Sequence, residues 1–114
     1  MKTYIVVKFQ FEGVHRWPDA PDPVKYLRNI HRHMFYVTAT IEVRHNDREL
    51  EFIMVKNALK QHVEDVKETW PGAISCESMA EDIIRFIQTI YGQNRWVSVK
   101  ISEDDENGAL VITD

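Results

Sequence analysis

The segment from Ile30 to Val43 alternates apolar and polar side chains over most of its length, and two histidines stand near its start. Side chains two residues apart in a β-strand point to the same side of the sheet. The pattern therefore predicts a long strand whose apolar face is formed by Phe35, Val37, Ala39, Ile41 and Val43. His31 and His33 have the same parity and begin that face. Two neighbouring imidazoles bind a metal ion when a third ligand reaches them.

A third histidine has the parity needed to join them. Residues 3–12 predict a first strand, with one face formed by Ile5, Val7, Phe9 and Phe11. Continued past Gly13, this parity places His15 on the side of Phe11. Three neutral imidazoles leave a fourth position on zinc for water or a ligand, as in catalytic zinc sites. The alternative is three unrelated histidines at strand ends, because His-x-His is a short motif that often occurs by chance.

Two helical segments follow. Leu59, Val63 and Val66 have helical spacing within residues 57–70, and Pro71-Gly72 ends that pattern. Ser75 is a favourable N-cap for a second helix, which ends near Gly92. The inner face of this second helix is predicted to comprise Met79, Ile83, Phe86, Ile87 and Ile90.

Shorter segments complete the predicted order. Three prolines within residues 16–25 exclude helix and central strand, which predicts an ordered surface loop. The alternation of Leu50, Phe52 and Met54 predicts a short third strand. Residues 96–102 and 109–113 predict two further strands, joined by an acidic turn. This order indicates an α+β fold with two helices on one face of an antiparallel sheet.

Length and composition limit the class of protein. The 114 residues fit a single domain over residues 1–114, and a chain this short is expected to oligomerise. The net charge of −4 and the absence of a basic run disfavour nucleic acid as a partner. Cys76 is the only cysteine, so an internal disulfide is excluded. No apolar run approaches the roughly 20 residues of a membrane helix, and no signal peptide is recognisable. We therefore expect a cytoplasmic protein without a membrane partner.

Two carboxylates are candidates for ligand binding. Glu77 lies in the first turn of the second helix, where the helix dipole alone favours a negative charge. Glu103 follows the strand predicted over residues 96–102 and begins an acidic turn that is expected to be solvated. In a cleft, a carboxylate accepts two N–H hydrogen bonds from the edge of a purine-like or pterin-like ring. From pattern alone, both functional and structural interpretations stay open.

Other polar residues have weaker indications of function. Cys76 is a nucleophile only beside a base, and otherwise packs as a small apolar residue. His45 and His62 are expected to have no role in the site, because one lies at the opposite end of the second strand and the other lies in a helix. Four basic residues flank the histidines and either bind phosphates or are scattered surface charges: Arg16, Lys25, Arg28 and Arg32.

Five motifs in order resemble the family of 6-pyruvoyl-tetrahydropterin synthase and 6-carboxytetrahydropterin synthase, the latter a queuosine-pathway enzyme. Residues 11–16 resemble its Phe-x-Ala-Ala-His motif, and residues 31–35 resemble His-Gly-His-x-Tyr/Phe. Leu59-Lys60 matches the start of a family helix, and residues 75–80 resemble Thr-x-Glu-Asn-x-Ala. Residues 99–103 resemble the terminal Val-x-Val-x-Glu-Thr hairpin. The resemblance covers nearly the whole chain.

The resemblance implies a fold and a site. The fold would be the tunnelling fold, in which subunits close a β-barrel as a homotrimer and often pair into a homohexamer. His15, His31 and His33 would bind zinc, while Glu77 and Glu103 would bind the ring of a reduced pterin with a triphosphorylated side chain. Zinc would polarise side-chain oxygens while an acid–base pair moves protons and triphosphate leaves.

The chain departs from the family in its proton-transfer groups. The family has a catalytic cysteine four residues before the first histidine of His-x-His, where this chain has Leu27. The family's Asp-His pair between the two helices is also missing, and no Asp-His dipeptide occurs in the chain. Cys76, His62 and Tyr26 are the only obvious substitutes, so the catalytic residues are unassigned. General acid–base groups contribute roughly 10²–10⁴-fold to a rate, so weak or altered synthase activity is expected.

Three functions follow as hypotheses. The first is a zinc-dependent lyase of the pterin-synthase type with an altered substrate or altered proton donors. The second is a binding protein that retains the metal and the ring pocket and sequesters or senses a purine, pterin or nucleotide. The third is an assembly protein whose histidines have no function. Turnover separates the first two, and metal content tests the third.

Overall fold

The computed structural model describes residues 1–114 as a four-stranded antiparallel sheet with two helices packed on it. The strands follow the spatial order β1-β2-β3-β4. The elements in chain order are β1 (Thr3–His15), β2 (His31–Val43), α1 (Phe52–Val66), α2 (Cys76–Tyr91), β3 (Val97–Glu103) and β4 (Gly108–Ile112). The α+β class predicted from the sequence is confirmed.

Strands β1 and β2 form the longest ladder and set the position of the histidines. β1 continues to His15, three residues beyond the predicted end at Glu12. The register pairs His15 directly with His31, and Gly13 with His33. The predicted parity therefore holds up to the last pair of the ladder, which joins the end of β1 to the start of β2.

The core lies between one face of the sheet and the two helices. The predicted apolar face of β2 is buried along its whole length, and Phe35 and Ile41 are fully buried. Helix α1 contributes Val55, Leu59 and Val63 to this core, while α2 contributes Cys76, Met79, Ala80, Ile83, Ile84 and Ile87. Ile90, predicted on the inner face of α2, is instead exposed near the end of the helix.

The predicted short third strand is wrong, because α1 begins at Phe52. The Glu51 carboxylate caps the helix by accepting hydrogen bonds from the backbone N–H groups of Ile53 and Met54. Phe52, Ile53 and Met54 are all exposed, so their apolar character does not indicate a buried face. A short apolar run cannot distinguish strand from helix by periodicity alone.

The connections agree more closely with the predictions. Ser75 Oγ accepts a hydrogen bond from Ser78 N–H at 3.1 Å and caps α2, while Gly92 ends that helix at a φ of 135°. The proline-rich segment is an ordered loop as predicted only up to Pro21. The exclusion of helix is wrong for residues 22–25, because Asp22–Arg28 forms a short 3₁₀ helix and Pro23 lies in its first turn, where proline is tolerated. The Arg28 guanidinium donates to Ala20 O at 2.7 Å and fixes this loop. The structure contains no helix that is both long enough and apolar enough to span a membrane.

Candidate metal centre and adjoining cavity

The ends of two neighbouring strands bring His15, His31 and His33 together. Their ring centroids lie 4.5 Å apart for His15 and His31, 4.9 Å for His31 and His33, and 5.4 Å for His15 and His33. One ring nitrogen of each histidine lies within 4.8 Å of the corresponding nitrogens of the other two. The predicted convergence of three imidazoles is therefore confirmed.

Each of the three imidazoles is held by an acceptor on its Nδ1 atom. His15 Nδ1 lies 3.2 Å from Ile74 O, and His31 Nδ1 lies 2.8 Å from Asn29 O. His33 Nδ1 lies 2.7 Å from Asp104 Oδ2. Backbone carbonyl oxygens and ionised carboxylates only accept, so these partners assign the proton to Nδ1 in each ring. Each neutral ring then presents the lone pair of Nε2.

The three Nε2 atoms are shielded from solvent and lack a hydrogen-bond partner. The Glu103 carboxylate lies against two of them, with Oε1 3.2 Å from His15 Nε2 and Oε2 3.4 Å from His33 Nε2. These contacts lie at ion-pair distance but lack hydrogen-bond geometry. Nitrogen lone pairs facing a carboxylate repel each other unless a cation lies among them. The arrangement is therefore suited to a bound positive charge.

The pKa shifts near the cluster agree with metal ligation. Burial lowers the pKa of His15 below its ordinary value of 6.5, and the neighbouring His31 and His33 lower it further, against the raising effects of Ile74 and Glu103. A neutral imidazole is the form that ligates a metal. The hydrogen bond from His33 lowers the pKa of Asp104, and the Met34 N–H lowers it further, so this carboxylate is ionised at neutral pH.

These residues fit a metal ion by the chemistry of their donors. Three histidine nitrogens with oriented outer hydrogen bonds are typical of zinc sites with an open fourth position. Imidazole sites also accept other first-row metals, so the donor set does not fix the identity of the ion. The structure thus shows a His15, His31 and His33 cluster that is able to hold a metal ion.

A cavity of about 540 Å³ opens beside the cluster. His15 and His31 line it, as do both predicted ring-binding carboxylates, Glu77 and Glu103. The loop after β1 forms another wall, where Trp17 N–H donates to Leu27 O at 2.7 Å. Further lining residues are Arg16, Trp17, Leu27, Cys76 and Asn107.

The four basic candidates do not form one group around this cavity in the isolated chain. Arg16 lines the cavity. Arg28 forms an ion pair with Asp22 at 3.0 Å, and Arg32 forms one with Glu12 at 2.8 Å. Lys25 is exposed and is not among the lining residues. Arg16 alone of the four is therefore placed to meet an anion in the cavity.

Cys76 faces the cavity but is a poor nucleophile. Burial, followed by the negative charges of Glu103 and Glu77, raises the pKa of its thiol to about 12. Its Sγ donates to Glu103 Oε1 at 3.9 Å. The thiol is therefore protonated at neutral pH, which agrees with the packing interpretation of this residue.

His62 and His45 have local structural contacts away from the cluster. His62 Nε2 lies 2.5 Å from Asp82 Oδ1, and its ring stacks on Phe86 with a centroid distance of 4.1 Å. Trp70 Nε1 donates to the other oxygen of the Asp82 carboxylate at 3.2 Å. His45 Nδ1 accepts from Asp47 N–H at 3.2 Å in the turn after β2. Neither histidine lines the cavity.

Sequence reasoning missed the groups that orient the imidazoles. Asp104 belongs to an acidic turn that the sequence assigns to solvent, and no pattern marks its contact with a histidine 71 residues away. The carbonyl groups of Asn29 and Ile74 leave no sequence signal, because every residue has one. Trp17 was recognisable only as part of a loop, whereas Leu27 was singled out only through the family resemblance and not as a residue that lines a cavity.

Comparison with known proteins adds no relative. Neither a protein-family model nor a curated protein matches this chain at a significant level. We therefore infer the function from the residues and the geometry of this chain.

Proposed function

We propose that this chain is a divergent zinc protein of the 6-pyruvoyl-tetrahydropterin synthase and 6-carboxytetrahydropterin synthase type. It binds or acts on a pterin-like or purine-like ligand, with or without phosphate. The observation that carries the proposal is the convergence of three shielded Nε2 lone pairs from His15, His31 and His33 beside a carboxylate-lined cavity. Zinc would polarise oxygen atoms of the bound ligand.

The cavity walls supply groups for a flat, nitrogen-rich ring. Glu77 and Glu103 offer carboxylate oxygens that accept N–H hydrogen bonds from the edge of such a ring. Trp17 lines the same space with a half-exposed indole that can stack on an aromatic heterocycle. Arg16 offers a positive charge to an anionic tail. Together these groups favour a heterocycle with a charged substituent.

The groups for proton transfer are reduced. Leu27 lines the cavity at the position where the resembled family has its cysteine, and a leucine side chain neither gives nor takes a proton. Cys76 is held as a thiol by its raised pKa of about 12. His62 pairs with Asp82, and neither His62 nor Tyr26 lines the cavity. We therefore expect synthase activity to be weak or altered.

These same observations favour a second candidate, a non-catalytic tunnelling-fold protein that sequesters a pterin or nucleotide. Leu27 makes the cavity more apolar beside His31, which helps retain an aromatic ring. Binding needs only the metal, the two carboxylates and the stacking surface, and all of these are independent of a proton donor.

The tunnelling-fold assembly, a homotrimer or homohexamer, is part of the proposal. Both outer strands of the sheet have one unpaired edge, and β1 presents thirteen residues along its edge. The face of the sheet turned away from the helices exposes apolar side chains, namely Tyr4, Val6, Leu110 and Ile112. Unpaired strand edges beside an apolar face favour continuation of the sheet into a neighbouring subunit.

Incubation of zinc-loaded protein with dihydroneopterin triphosphate tests this proposal. Binding is measured by equilibrium dialysis, and products are separated by chromatography. We expect binding that weakens at least about tenfold in Glu103→Gln, because one ionic hydrogen bond is lost. Glu106→Gln is the matched control, since Glu106 lies in the same turn and is exposed.

The outcomes separate the candidates. Slow conversion supports an altered synthase, and binding without conversion supports the sequestering protein. Absence of both binding and conversion in the zinc-loaded protein contradicts the proposed function. Equal binding by the wild type and Glu103→Gln contradicts the assigned role of Glu103.

A further inference from the structure

We propose that Asp104 is a positioning residue that orients His33 for the metal ion and strengthens metal binding. This inference rests on the proposed function, because it concerns the same metal centre. Asp104 is not among the expected ligands, and its own contacts with β2 carry the argument.

The contact with His33 differs in kind from those of the other two imidazoles. His15 and His31 have backbone carbonyl oxygens as partners for Nδ1, whereas His33 has the Asp104 carboxylate at 2.7 Å. A hydrogen bond to an ionised carboxylate is roughly twice as strong as a neutral one. It also increases the basicity of the imidazole, which strengthens the bond from Nε2 to a metal.

Three hydrogen bonds hold Asp104 against β2. Its Oδ1 accepts from Met34 N–H at 3.1 Å, while its own backbone N–H donates to Met34 O at 2.7 Å. Together with the hydrogen bond to His33, these contacts join Asp104 to two consecutive residues of β2, His33 and Met34. The second carboxylate oxygen is thus directed at His33 by contacts that do not depend on a metal.

The backbone of Asp104 is unusual in a way that fits this role. Its φ is 54°, in the left-handed region that non-glycine residues seldom adopt. Asp105 follows with a φ of 59° but makes no side-chain hydrogen bond. Asp tolerates this region better than most residues. The two aspartates therefore have similar φ angles, but only Asp104 uses its side chain to contact β2.

The position also connects the metal centre with the cavity. Glu103 precedes Asp104 and pairs with Phe35 in the β2–β3 ladder. The hydrogen bond from Asp104 N–H to Met34 O holds the end of β3 against β2. It thereby also holds Glu103, whose carboxylate lies 3.4 Å from His33 Nε2. Asp104 thus orients a metal ligand and a ring-binding carboxylate together.

Zinc affinity tests this inference in the full chain. The dissociation constant is measured by competition with a chromophoric chelator at one neutral pH, for wild type, Asp104→Asn and Asp105→Asn. Asparagine has one acceptor oxygen and keeps the tolerance for a positive φ, so Asp104→Asn removes charge and one hydrogen bond without new backbone strain. We expect about 10–100-fold weaker zinc binding in Asp104→Asn and a less than twofold change in Asp105→Asn.

A second measurement separates positioning from folding. The urea midpoint of the metal-free protein is compared between the wild type and both variants, and Asp104→Gly is added because glycine adopts a positive φ freely. The inference is supported if both Asp104 variants bind zinc more weakly and if the loss in binding free energy exceeds any loss in stability of the metal-free protein. Unchanged zinc affinity in Asp104→Asn overturns it while leaving the proposed function intact. A wild type that binds no zinc overturns the proposed function, and this inference falls with it.

Discussion

His15 and His31 lie directly opposite each other in the β1–β2 ladder, with ring centroids 4.5 Å apart. This pairing places a ligand from each strand at one end of the sheet. His33 is opposite Gly13, where an added Cβ atom would lie 3.1 Å from the ring of Phe35. A shift of the register by one residue would send the histidines of one strand to the other face. The three-histidine cluster therefore depends on the same strand pairing that forms the core.

The buried ion pair between Glu49 and Arg95 gives a prediction on stability. Arg95 is 5% exposed and donates to both carboxylate oxygens of Glu49 at 2.9 and 2.8 Å. Glu49→Ala leaves this guanidinium without its anionic partner, so we expect a loss of about 3 kcal/mol in the free energy of unfolding. Urea denaturation at pH 7 measures the free energy of unfolding of the wild type and the variant. Lys2→Ala breaks only an exposed pair and serves as the control.

The same pair predicts a pH dependence. The hydrogen bonds from Arg95 and from the Arg44 N–H lower the pKa of Glu49 from 4.5 to about 2. A carboxyl group with a lowered folded-state pKa contributes stability that is complete above its unfolded value and is lost as pH falls. The stability should therefore decline between about pH 4.5 and pH 2. We compare urea midpoints of the wild type and Glu49→Gln across this pH range. The variant should lose less stability as pH falls, because it has no carboxyl group to protonate at this position. An equal loss in both proteins would contradict the lowered pKa of Glu49.

The close contact at Gly108 predicts a steric effect at the start of β4. A Cβ atom added there would lie 2.6 Å from Ser102 Cα, while one added at Gly72 would meet nothing within 4 Å. Backbone atoms cannot move away without disrupting the β3–β4 ladder. Gly108→Ala should reduce the free energy of unfolding by about 2 kcal/mol, whereas Gly72→Ala should leave it almost unchanged. Equal urea midpoints for the two variants would contradict this packing.

Alternation predicted the strands because burial on one face imposes a period of two. His15 was identified from this parity, and the prediction succeeded because β1 continues through Gly13 without a bulge. Leu50, Phe52 and Met54 have the same alternation, but the Glu51 cap begins a helix there. Asp104 was missed because its contact with His33 depends on a turn that folds back against β2. Long-range contacts of polar turn residues leave no periodic pattern.

Cys76 should be unreactive in the folded protein. Its pKa of about 12, against an ordinary value of 9.0, reduces the thiolate fraction at pH 8 by about 10³-fold, and thiolate is the reactive form. Reaction with a disulfide reagent should be at least about 10²-fold slower in native protein than in urea-unfolded protein. Rapid modification of the native protein would contradict both the burial and the protonation state of this thiol.

Leu27 gives a test of the proposed synthase chemistry. Leu27→Cys places a thiol in the cavity wall that also contains His31. If catalysis is weak because this group is missing, the variant should convert dihydroneopterin triphosphate at least about tenfold faster than the wild type. Leu27→Ala is the control for a change of volume alone. If Leu27→Ala increased the conversion rate as much as Leu27→Cys, the increase would come from the added volume in the cavity and not from proton transfer.

Metal content of the purified protein tests whether His15, His31 and His33 bind a metal ion together. Zinc-loaded protein, after removal of free metal, is analysed by mass spectrometry for wild type, His31→Ala/His33→Ala and His45→Ala. We expect about one zinc per chain in the wild type and in His45→Ala, which changes a histidine outside the cluster. We expect almost no zinc in the double variant, since one imidazole alone holds zinc weakly. Equal metal content in the wild type and the double variant would show that these histidines do not bind the metal.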